Sequence, residues 1–125
     1  MKTIINTDAA PKAIGPYSQA VMIDSFLYAS GQIAIDPATG EFVEGGIEAQ
    51  TERVLENIKA ILKAAGMDLN NVIKTTVFVT NIGDFAKINE IYGRYFKDNP
   101  PARSLVEVKS LPKGALIEIE VVAHR

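Results

Sequence analysis

The 125-residue sequence contains no cysteine, and its only histidine is His124, next to the C-terminus. The first absence excludes disulfides, thiolate nucleophiles and thiolate metal sites. The second leaves nothing from which to build a His-based triad or a His-rich metal centre. Long apolar runs are missing too. None approaches the roughly 18 residues of a membrane span. The opening Met1-Lys2-Thr3-Ile4-Ile5-Asn6 also lacks the roughly seven apolar residues of a secretory core. These absences point to a cytoplasmic protein. There is no excess of positive charge either: the net charge is −2, and the lysines and arginines stand singly. Such a surface gives no electrostatic footprint for nucleic acid or a membrane. Finally, the glycines at 31, 40, 45, 46 and 66 form no GxGxxG or Walker pattern.

What is present is an ordinary globular composition, 47% hydrophobic and 22% charged, of a length that suits one domain spanning 1–125. Ser18 to Ile23 and Phe26 to Ser30 read as a hairpin turning at Asp24-Ser25, and Gly31 to Ile35 extends its second strand. After Gly45-Gly46, apolar residues at 47, 54, 55, 58, 61, 62 and 65 recur at helical steps, and Gly66 sits where the helix should stop. Val72 to Thr80 is β-branched and reads as a central strand. Asn81 is placed to cap a second helix, whose apolar face is Phe85, Ile88, Ile91, Tyr92 and Tyr95 and which must end before Pro100-Pro101. Strands over Ala102 to Val108 and Leu116 to Ala123 complete the chain. The expected fold is α+β, a mixed sheet with both helices on one face. That leaves the other sheet face, Phe78 included, without cover, so a homo-oligomer is expected.

With histidine and cysteine excluded, acid/base work falls to carboxylates, tyrosines or lysines. Glu118 and Glu120 alternate with Ile117, Ile119 and Val121, so both acids share one sheet face. They are either a solvated face or a pair of which one, in a cleft, has a raised pKa and handles water. Arg103 follows the rigid Pro100-Pro101-Ala102 entry. It is either an ion-pair partner of Glu107, Glu118 or Glu120, or a guanidinium pre-organised for a planar carboxylate. Tyr17, after Gly15-Pro16, and Gly31, in Ser30-Gly31-Gln32, are each ambiguous alone.

Taken together, IGPYSQA (14–20), SGQI (30–33), KTTVFVTNIGDFAKIN (74–89), PARSLVEV (101–108), LPKG (111–114) and IEIEVVA (117–123) resemble the RidA/YjgF family of enamine/imine deaminases over nearly the whole chain. The resemblance implies a chorismate-mutase-like fold assembling as a homotrimer with a barrel-like core and sites between subunits. It implies hydrolysis of 2-imino acids such as 2-iminobutanoate and 2-iminopropanoate to 2-keto acids and ammonia, with no metal or organic cofactor. In that scheme Arg103 holds the substrate carboxylate and Glu118, not Glu120, orients water. Tyr17, Gly31 (through its amide) and Asn89 match pocket positions. Leu105 stands where many members carry cysteine, so only its backbone N–H can serve. Two other classes go with the resemblance: a non-catalytic 2-keto-acid-binding regulatory trimer, and an RNA-cleaving or translation-inhibiting protein. The acidic balance, the absent basic patch and the lack of a catalytic histidine argue against the last.

Overall fold

The computed structural model describes all of residues 1–125. Six strands form one sheet: β1 (Thr3–Ile5), β2 (Ala20–Ile23), β3 (Phe26–Gln32), β4 (Val72–Val79), β5 (Ala102–Glu107) and β6 (Ile117–His124). Their order is β1-β2-β3-β6-β4-β5. Every pairing is antiparallel except β4–β5, so the sheet is mixed, as expected. Two helices, α1 (Ile47–Ala64) and α2 (Phe85–Tyr95), pack on each other and cover one face. β1 is the element that sequence periodicity does not reveal, because three residues are too short to carry a period.

The local causes are legible. Asp24 adopts a positive φ of 52° between Ile23 and Phe26, which closes the β2–β3 hairpin in two residues. At the end of α1, Gly66 has φ 72°; its N–H donates to Lys63 O, and the Met67 N–H donates to Leu62 O. That is the double bond of a glycine-terminated helix, and a side chain there would be strained. Asn81 does act as a cap, but of a short 3-10 turn, Ile82–Asp84, from which α2 then continues. The turn absorbs the change of direction between β4 and the helix.

Core burial fixes the two faces. Val54, Leu55, Ile58, Ile61 and Leu62 of α1 and Ile88 of α2 are fully enclosed against Val77, Val79, Ile117 and Ile119. Each such side chain contributes about 1.5–3 kcal/mol of burial. The alternate residues point the other way. Ile23, Phe26, Tyr28 and Val106 are exposed there, and Phe78 and Val122 are half-buried. The leftover apolar face expected from the sequence is therefore present, on the side away from the helices.

Candidate active site

The sheet distributes the six candidate residues over both of its faces. In β6, Ile117, Ile119 and Val121 face the helices, so Glu118 and Glu120 face away. Beside them, β3 carries one extra residue between the pairs Ala29↔Val121 and Gln32↔Ile119. This bulge puts Gly31 directly against Glu118. A Cβ built on Gly31 would stand 2.7 Å from Glu118 Cδ and 2.9 Å from Cγ, closer than real contacts permit. Glycine thus lets the acid approach this closely, since any side chain at 31 would push the Glu118 carboxyl aside, a reason no turn signal in the sequence could express.

Around this pair lies a cavity of about 560 Å³, whose lining includes Tyr17, Gly31, Glu118, Gln19, Lys12 and Lys113. Gln19 is buried and organises the wall: its amide donates to Pro11 O (2.8 Å) and Thr7 O (3.0 Å), and its Oε1 accepts from the Thr7 N–H (2.7 Å). Those bonds tie the N-terminal segment across the cavity's rim. Tyr17 is 53% exposed and leans over the same space, so it is not the core anchor that a tyrosine after a turn usually becomes. Lys113 arrives through the turn Pro112–Gly114, where it holds a left-handed φ of 57°. Neither Gln19 nor Lys113 stood out in the sequence, since each depends on a long-range closure.

Glu118 is half-buried and its pKa is raised, first by desolvation and then by the like charge of Glu120. No arginine or lysine forms an ion pair with it; the two ion pairs in the structure are Lys59–Glu56 and Arg94–Glu90. A carboxyl whose burial favours the protonated form is better suited than a solvated one to take up a proton and give it up again.

Arg103, Asn89 and Leu105 lie on the opposite face. Arg103 pairs in register with Thr75 and Leu105 with Val77, both of which face the helices. The Arg103 Nη1–H donates to Asn89 Oδ1 at 2.8 Å, and the guanidinium lies 4.8 Å from the Tyr92 ring centroid and 5.6 Å from that of Phe85. The ion-pair reading of Arg103 with Glu107, Glu118 or Glu120 is not realised: no carboxylate reaches it. Asn89 thus contacts the arginine itself. Leu105 is half-buried and packs at the margin of the core. The Val108 N–H donates inward to Val79 O. By the two-residue alternation of a strand, the Leu105 N–H points to the open outer edge of the sheet.

Within one chain, then, Tyr17, Gly31 and Glu118 come together, Arg103 and Asn89 come together, and the sheet separates the two sets. A larger groove of about 1100 Å³ runs over the outer surface of α1 and α2 and contains none of the six. No cluster of metal-ligating side chains is present. No helix is long and apolar enough to cross a membrane.

Fold and cavity define a small α+β protein with a half-buried carboxyl group lining a pocket. Residues 7–125 match the family model described as endoribonuclease L-PSP. A RutC family protein of Pyrococcus horikoshii is 58% identical over 125 residues, covering 100% of this chain and 99% of that one. The human protein named 2-iminobutanoate/2-iminopropanoate deaminase is 53% identical over 123 residues, covering 98% and 90%. A solved Rid-family protein of Yersinia pestis, its function described as unknown, superposes with a TM-score of 0.97 at 55% identity, covering 100% of each chain. The chain belongs to this family, the RidA/YjgF group of L-PSP proteins.

Proposed function

We propose that this protein hydrolyses reactive 2-imino acids and their enamine tautomers, such as 2-iminobutanoate and 2-iminopropanoate, to 2-keto acids and ammonia. The observation that carries the reading is the pair of unsatisfied charges. Glu118 is a desolvated acid with no cation, and Arg103 is a guanidinium with no acid. A 2-imino acid offers a carboxylate to Arg103 and a C=N carbon awaiting water to Glu118. The deaminase name carried by the human relative, and by those of rat and mouse at about half identity, supports the same reaction.

Because the two groups lie on opposite faces, the reading requires a second subunit. In a homotrimer whose barrel-like core buries the apolar sheet face, Glu118 of one chain meets Arg103 of the next. Arg103 binds the substrate carboxylate through the guanidinium edge that Asn89 leaves free, assisted by the outward N–H of Leu105. That fixes C2 beside one water, converting an encounter into a positioned attack. Glu118 accepts a proton from the water as its oxygen bonds to C2 and the C=N electrons move to nitrogen. It hands that proton to nitrogen to give the carbinolamine, then takes the carbinolamine's hydroxyl proton and delivers it to nitrogen as the C=O forms and the C–N bond breaks, leaving a 2-keto acid and ammonia. Tyr17 and the Gly31 amide line the substrate's path.

The test couples a dehydratase that releases an imine to a direct assay of imine loss. Acceleration by the parent protein that disappears in Arg103→Ala and Glu118→Gln is the expected result. A protein that binds a 2-keto acid without hastening imine loss would instead be a sensor, and the proposal would fall.

A further inference from the structure

We infer that Tyr92, locked in place by Thr75, is the positioning residue that aims Arg103 at an anionic ligand. The inference deepens the proposed function and rests on its assignment of Arg103 as the carboxylate clamp. A guanidinium that must bind a carboxylate needs a fixed orientation and an uncompensated charge. An aspartate or glutamate neighbour would supply the first and destroy the second. Here the guanidinium's hydrogen-bond and ring partners are all neutral: the Asn89 carbonyl and the faces of Tyr92 and Phe85.

These three residues fall at positions 85, 89 and 92 of α2, a spacing that aligns them on one helix face. The nearest ring, that of Tyr92, is itself immobilised. Its residue is 6% exposed, and its hydroxyl lies 2.7 Å from the hydroxyl of Thr75, which is fully buried. Thr75 is the register partner of Arg103 on the adjacent strand. The contacts therefore close a ring: Arg103 on β5, Thr75 on β4, Tyr92 on α2 and back to the guanidinium. Burial pushes the Tyr92 phenol upward, while the Thr75 bond and the Arg103 charge pull the other way, so the two side chains are electrostatically coupled as well as touching. The phenol stays protonated at any working pH, and the platform stays neutral.

A merely structural tyrosine, packed against Phe96 at 4.7 Å, would give a different experimental pattern. The experiment measures binding of 2-oxobutanoate, a carboxylate probe that needs no turnover, by calorimetry, alongside KM and kcat for imine loss and a thermal melt. Removing the aromatic face in Tyr92→Leu should weaken the probe about tenfold, within the range of a partly desolvated cation–π contact. The loss should fall on KM, with kcat within about twofold. Tyr92→Phe keeps the face and should return affinity to within about threefold of the parent.

Unchanged affinity in a folded Tyr92→Leu protein would overturn the inference, as would Tyr92→Phe falling as far as Tyr92→Leu. Should Tyr92→Leu fail to fold, Thr75→Val decides: about threefold weaker binding is expected, and parental binding overturns the idea. Arg103→Ala separates the two levels. If it binds the probe like the parent, the clamp itself is wrong. If it loses binding while folded Tyr92→Leu keeps it, only the positioning role fails.

Discussion

The two faces of the sheet hold their charges by opposite means. On the helix face, the charge of Arg103 is left without a counter-ion, because its partners are an amide oxygen and two rings. On the open face, Glu118 is pressed toward neutrality by burial and by Glu120. One region preserves a charge and the other suppresses one. Neither arrangement benefits the isolated chain, since an Arg103–Glu118 ion pair would satisfy both. In the proposed function each is half of a site, and the activity then depends on what joins them.

The comparison breaks most severely at Glu118. Glu118→Gln should lower turnover about 10²–10⁴-fold, the usual range for a general acid/base, and Glu120→Gln far less; equal losses in the imine assay would mean the wrong acid was chosen. Stability should move the other way. Since the folded pKa of Glu118 lies above its unfolded value, the ionised carboxylate opposes folding, and its penalty grows as pH rises through the folded value. Melting curves across pH should therefore show a decline toward neutral pH in the parent that is shallower in Glu118→Gln. A steeper decline in the variant would contradict the desolvated acid.

Next in size is Arg103→Ala, expected to cost roughly a hundredfold or more in kcat/KM by leaving the substrate carboxylate unpaired. The fold should survive, because the arginine makes no ion pair whose loss would strand an acid. Tyr28→Asp addresses the junction. It puts a charge on the apolar open face, where Tyr28 is 46% exposed, and should convert the assembly to monomers in sedimentation, with activity lost alongside. A Tyr28→Asp protein that is monomeric yet fully active would place the whole site in one chain. The smallest effect is expected for Gly31→Ala. The flexible end of Glu118 can swing aside from the new methyl group, so the melting temperature should barely move, whereas turnover should drop about tenfold as the acid leaves its place. An unchanged rate would detach Gly31 from the chemistry.

Much of the frame was readable from residues. The period of Val54, Leu55, Ile58, Ile61 and Leu62 gives α1, Gly66 ends it, and the alternation of β6 puts both glutamates on one face. What alternation could not do was distinguish Glu118 from Glu120, because that choice is made by a bulge in another strand that brings Gly31 alongside one of them. The resemblance selected Glu118, and the burial that distinguishes it is now visible. Arg103 was undecidable for the same reason: its ring and amide partners come from α2, and only the β4–β5 register lines Thr75 up with it. Local pattern specifies elements. The electrostatic character of a side chain is set by neighbours that the chain brings in from far along its length.

The proposed deaminase requires that Glu118 of one subunit and Arg103 of another complete a single site. The most direct measurement mixes Arg103→Ala and Glu118→Gln subunits, each inactive alone, unfolds and refolds them together, and assays imine hydrolysis. Random reassembly of a closed ring should restore about a quarter of the parental activity, from interfaces that pair an intact Glu118 with an intact Arg103. Mixed assemblies that form but stay as inactive as either variant alone would contradict it.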